Sequence, residues 1–154
     1  MIDFTLETHL DRTPDEVFDY ITDPDRLPEW QTNTLSSVAE GEGPMGVGTR
    51  LREVHRAPGG KELSSVVEVS EYEPGSVFAL RVIEGTPVHL RITLEPAARG
   101  TRMRFRAFGQ LGGAMRFAQP LLARVLKRQF AGQLATLQTR LAYAPEGAAA
   151  NGNA

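Results

Sequence analysis

The sequence predicts an α+β fold in which one curved antiparallel sheet closes over a long C-terminal helix. Three observations lead there. Seven segments between Ile2 and Phe108 read as strands joined by short turns rich in glycine and proline. One short helix signature interrupts them, directly after the first strand. From Ala114 to Tyr143 the apolar residues instead recur at three-to-four spacing, the period of a helix with one buried face.

The first strand, Ile2 to Leu10, alternates: Ile2, Phe4, Leu6, Thr8 and Leu10 share one face, and Asp3, Thr5, Glu7 and His9 the other. The helix after it starts with Thr13 as N-cap, Pro14 at the first helical position and Glu16 completing a capping box. It ends at Asp23-Pro24, because the residue before proline resists the α region. The stretch DPDRLPEWQ, Asp23 to Gln31, follows as a tight, partly helical corner and carries the single tryptophan, Trp30. Strands are expected at Thr34 to Glu40, Thr49 to Arg56, Glu62 to Tyr72, Val77 to Glu84, Val88 to Glu95 and Thr101 to Phe108. The break at Gly109 to Gly113 ends the sheet. The long helix, about seven turns, is expected to bend near Pro120. One domain is expected over residues 1–143, and the Ala/Gly/Asn-rich stretch 144–154 reads as a disordered tail.

Composition narrows the function classes. At 154 residues the chain can bury a core without staples, and the absence of cysteine removes disulfides, thiolate metal sites and cysteine nucleophiles. No stretch approaches the roughly 18 apolar residues of a membrane helix, and the N-terminus lacks the basic-then-apolar order of a signal peptide. The formal net charge of −2 argues against bulk attraction to nucleic acid or anionic lipid. The expectation is a cytoplasmic monomer or homodimer, without nucleic-acid partner, stable membrane insertion, metal or cofactor. His9, His55 and His89 form no ligand-spaced pair, and GEGPMGVG, residues 41–48, precedes a strand rather than a phosphate-binding helix.

The succession of TPDEVFDYITDPDRLPEW, GPMGVGTRL, VVEVSEYEPGSVFAL, GTRMRFR and a long terminal helix resembles the polyketide cyclase/dehydratase branch of the START-like (SRPBCC, Bet v 1-like) superfamily, over residues 2 to about 143. The resemblance implies a helix-grip fold: a seven-stranded antiparallel sheet around the C-terminal helix, with two short helices closing one end. It also implies a cavity between sheet and helix for a hydrophobic ligand of polyketide-like, aromatic or lipid type. Some members of that superfamily catalyse cyclisation or dehydration.

Strand alternation assigns the cavity wall. Phe78, Leu80, Leu90, Met103 and Phe105 are the expected sheet contributions, and Leu122, Val125, Leu126 and Phe130 those of the helix. Trp30 is expected to be buried, either as a wall of that cavity beside the Gly41 to Gly48 loop or as a plug on the helix. On Thr49 to Arg56 the parity puts Glu53 and His55 on the inner face with Leu51, and Ser65 across from them. A carboxylate, an imidazole and a hydroxyl in an apolar concavity suit general acid–base work on a carbonyl compound, so Glu53 and His55 are the candidate catalytic pair. A bulge at Gly46 to Gly48 would reverse that parity and leave both in solvent. The many arginines of the strands read as a solvated, ion-paired outer face, with Glu62, Glu68, Glu84 and Glu95 as partners. Three functions stay open: a ligand binder with cyclase or dehydratase-like chemistry, a non-catalytic carrier or sensor, and a protein-interaction module with a vestigial cavity.

Overall fold

The computed structural model describes residues 1–57 and 59–143, so the expected tail lies outside the described residues. Seven strands form one antiparallel sheet: β1 (Ile2–Leu10), β2 (Thr34–Glu40), β3 (Arg50–Arg56), β4 (Glu62–Glu73), β5 (Val77–Glu84), β6 (Val88–Ala97) and β7 (Gly100–Gly109). Their order across the sheet is β1-β7-β6-β5-β4-β3-β2, a meander whose first strand has moved to the far edge beside the last. The helices are α1 (Pro14–Ile21), α2 (Leu27–Trp30) and α3 (Gln119–Tyr143), with 3-10 turns at Pro24–Arg26 and Gly113–Ala118. This is the helix-grip arrangement.

Local chemistry explains the elements. Thr13 caps α1 by accepting a hydrogen bond from the Glu16 amide at 3.2 Å, but the reciprocal half of the capping box does not form. The Glu16 carboxylate is drawn instead to Arg12 Nη1 at 3.3 Å. Pro120 starts α3 rather than bending it: proline fits the first turn, where amides lack partners, so the residues before it wind as a 3-10 turn. Gln119 pins that junction, its Oε1 accepting from the Leu111 amide at 2.8 Å. Gly109 is required by close approach, since a Cβ there would stand 2.0 Å from the Pro87 carbonyl oxygen.

β7 alternates without fault, with Thr101, Met103, Phe105 and Ala107 buried and Arg102, Arg104 and Arg106 exposed. The core gathers this inner face, the apolar side of α1 (Val17, Phe18, Ile21), Trp30, and Leu134, Leu137 and Leu141 of α3. On the outer face Arg106 pairs with Asp3, Arg104 with Glu7, Arg91 with Glu71, Arg52 with Glu40, and Arg50 and Arg81 both with Glu68. Of the four acids expected there, only Glu68 takes part; the other partners come from β1, β2 and β4. Hydrogen bonds from Arg81 and Arg50 hold the Glu68 carboxyl below its ordinary range, and one from Arg106 does the same for Asp3.

Candidate functional site

The inner face is not filled uniformly. The C-terminal half of α3 lies on β1, where its leucines enter the core. Its N-terminal half stands off from strands β3 to β6 and leaves a cavity of about 740 Å³. Strands β2 to β6, the Asp23–Gln31 corner and α3 all contribute to its wall, and β1 and β7 do not.

Of the sequence-expected residues, Phe78, Leu80, Leu90, Leu122, Leu126 and Phe130 line this space. So do Trp30, Ser65 and Val125. Met103 and Phe105 do not. Both are wholly buried under the helix, and Phe105 packs on the Phe130 ring with centroids 4.9 Å apart. Parity assigned their face correctly, but the helix fills the space over β7. Trp30 is at once a core residue, only 1% exposed, and part of the cavity wall. The Gly41 to Gly48 loop is not its neighbour in that wall; Met45 from the loop packs against the core instead.

Glu53 and His55 come together in the wall. The Glu53 side chain is buried and that of His55 half-buried, and Glu53 Oε1 lies 3.3 Å from His55 Nε2. The neighbouring strands supply the rest of the cluster. Ser37 on β2 and Ser65 on β4 are the cross-strand partners of Glu53, and Thr34 on β2 is that of His55. Ser37 Oγ donates to Glu53 Oε2 at 3.3 Å, and Ser65 Oγ lies 3.1 Å from His55 Nε2. Thr34 Oγ1 lies 3.1 Å from His55 Nδ1 and donates its own proton to Gln31 Oε1 at 3.1 Å. A hydroxyl has one proton, so Thr34 accepts from His55 Nδ1–H, and Nε2 is the ring nitrogen turned toward Ser65 and Glu53.

A bulge makes this cluster possible. Thr34 and Ser37 have opposite parity, yet both are buried, because the register of β2 against β3 shifts between Thr34 and Ser36 and turns Leu35 outward. Gln31, Asn33 and Gln133 extend the polar side of the wall, with Gln133 Nε2 donating to Asn33 Oδ1 at 2.7 Å. Among the described residues, Trp30 Nε1 and Gln133 Oε1 are buried without hydrogen-bond partners. No cluster of three His, Asp or Glu side chains suited to a metal is found among the described residues.

Residues 1–142 match the family described as polyketide cyclase / dehydrase and lipid transport. The chain belongs to that family. No curated protein matches it. Solved structures with the same fold include TTHA0849 from Thermus thermophilus, at 19% identity and TM-score 0.78, covering 94% of this chain and 99% of that one. The di-domain ARO/CYC StfQ from the steffimycin biosynthetic pathway matches at 17% identity and TM-score 0.77; 91% of this chain is covered, and it spans 50% of StfQ. The Aha1 dimer from Colwellia psychrerythraea matches at 18% identity and TM-score 0.65, covering 92% and 96% of the two chains. At these identities the likeness is one of fold. No helix among the described residues of this family member is long and apolar enough to cross a membrane.

Proposed function

We propose that the chain binds a hydrophobic small molecule, polyketide-like, aromatic or lipid, in the cavity between sheet and α3, and that Glu53 and His55 carry out acid–base chemistry on a carbonyl group of that molecule. One observation carries the reading: a buried carboxylate and an oriented imidazole meet in the wall of a space otherwise lined mainly by apolar side chains. The family's description, which names cyclases, dehydrases and lipid transport, supports the same substrate class.

The chemistry follows from the proton arrangement. With Nδ1–H committed to Thr34, His55 Nε2 is the basic nitrogen. It takes a proton from a carbon next to a carbonyl, and the C–H electron pair moves into the carbonyl to form an enolate. An Nε2 lone pair and a carboxylate oxygen 3.3 Å apart repel each other, and they attract once a proton lies between them. Glu53 therefore favours the imidazolium that forms, in a site where no reorganisation is needed. Attack of the enolate carbon on a second carbonyl closes a ring, and His55 returns its proton to the new alkoxide. The side-chain amides of Gln31, Asn33 and Gln133 offer polar contacts for the ligand's oxygens. A cavity of about 740 Å³ counts against the vestigial-cavity reading.

The test separates binding from turnover. The aromatic probe 2-naphthol is titrated by calorimetry into wild type and into His55→Ala and Glu53→Gln, and a linear poly-β-ketone is followed by mass spectrometry. Both variants are expected to keep binding and to lose about a hundredfold or more in cyclisation. Unchanged cyclisation in both would remove the acid–base role and leave a carrier. A wild type that binds neither the probe nor a fatty acid would sink the whole reading.

A further inference from the structure

The first turns of α3 and the 3-10 turn before them present an unusual surface. Phe117 is 78% exposed and Leu121 66%, which puts both among the most exposed large apolar side chains of the described residues. Phe117, Leu121, Arg124 and Arg128 fall on the outward face, away from the sheet. Val125 flanks that face and is both exposed and part of the cavity wall, as is Met115. The apolar ridge thus runs from the outside of the molecule into the cavity.

Its charge is one-sided. Between Glu95 and Glu146 the sequence has no acid, and Arg116, Arg124, Lys127 and Arg128 are exposed around the ridge. Six arginines of the outer sheet face (Arg50, Arg52, Arg81, Arg91, Arg104 and Arg106) have carboxylate partners, whereas these four, like Arg56 and Arg102 on the sheet, enter none of the ion pairs among the described residues. Arg116 lies over the Phe117 ring, 5.0 Å from its centroid. The net charge of −2 describes the whole molecule and conceals this cationic, apolar-tipped face.

We infer that this face docks on an anionic phospholipid surface, with Phe117 and Leu121 entering the headgroup boundary and the four cations lying among the phosphates. Protruding apolar residues ringed by lysine and arginine are what interfacial attachment requires, and each cation near an anionic leaflet adds to it. A second copy of the chain fits poorly: a two-fold contact here would oppose Arg124 and Arg128 to their own copies, with no acid in the segment to pair them. Docking brings Met115 and Val125, and so the cavity mouth, to the membrane surface. The inference goes beyond the cavity chemistry and does not depend on it.

The test is co-sedimentation of the full chain with phosphatidylcholine vesicles, with and without phosphatidylglycerol. Wild type is expected to pellet with the mixed vesicles, to stay in solution with pure phosphatidylcholine, and to be released by salt. Arg124→Glu with Arg128→Glu, and separately Phe117→Ser with Leu121→Ser, are each expected to weaken partitioning about tenfold or more. All four positions are exposed, so melting temperatures should stay at the wild-type value. Glu53→Gln should pellet like wild type, which separates failure of docking from failure of the acid–base reading. Equal pelleting with both vesicle types, pelleting with neither, or double variants that bind like wild type would overturn the inference. So would a dimer in sedimentation equilibrium that Leu121→Ser dissolves while no vesicle is bound.

Discussion

Tyr20 donates its hydroxyl to Glu29 Oε1 at 3.0 Å, linking α1 to α2 beneath the corner that carries Trp30. Burial, reinforced by that hydrogen bond and the Glu29 charge, pushes its phenol up to about 12. The unfolded chain ionises near 10, so stability from this source is intact below that pH and falls as pH rises toward 12. The loss should reach about 1–2 kcal/mol, because water near the hydroxyl screens part of the effect, and denaturant melts across that window read it. Tyr20→Phe should flatten that dependence; an equally steep fall in the variant would exclude Tyr20 as its source. At this scale the inward pair Glu53 and His55 is legible in the sequence because β3 runs through them without a bulge, so period two holds. Thr34 and Ser37 are not. No propensity marks Leu35 as the residue that turns out of register, and only the pairing with β3 reveals it. The hydroxyl residues Thr34, Ser36 and Ser37 on one short strand are the available sign.

Among the elements, α3 divides its labour along its length. Leu134, Leu137 and Leu141 are buried in the core, while Leu122 and Leu126 face the cavity. Leu137→Ala should therefore cost about 2–5 kcal/mol in denaturant unfolding and leave 2-naphthol binding by the folded protein unaltered. Leu126→Trp should do the reverse, placing an indole in open space: stability within about 1 kcal/mol of wild type, binding at least about tenfold weaker. Binding that survives Leu126→Trp unchanged would locate the ligand elsewhere. Strand positions are legible to within a residue or two at each end, since turns such as Pro74-Gly75 interrupt the alternation sharply. The start of α3 is not, because a proline inside a helical pattern serves equally as a kink and as a first-turn residue, and only the backbone before it decides.

For the whole molecule, alternation names the face of a side chain but not what lies over it. That explains why Phe78 and Leu90 line the cavity while Met103 and Phe105, equally inward, are covered by α3. The missing information is the helix's position across the sheet, on β1 at one end and off β3 to β6 at the other, which depends on many distant contacts together. A cavity of this size leaves apolar surface without partners, so an occupant should stabilise the fold by mass action. At ligand concentrations about a hundred times the Kd the gain is about 2.7 kcal/mol, a rise in Tm of roughly 5–10 °C for a domain of this size. Scanning calorimetry with 2-naphthol at that ratio checks it, and an unmoved transition would mean that 2-naphthol does not enter.

Trp30 gives the molecule an optical consequence. It is the only tryptophan in the chain, it lies in the cavity wall, and its indole is almost wholly removed from solvent. Its emission therefore belongs to one place and has no second source to dilute it. An aromatic guest against the ring would quench or shift that light, and an aliphatic one would change the polarity around it far less. The protein thus carries its own fluorophore in the cavity wall, and a guest there would be reported without a label, together with its chemical kind.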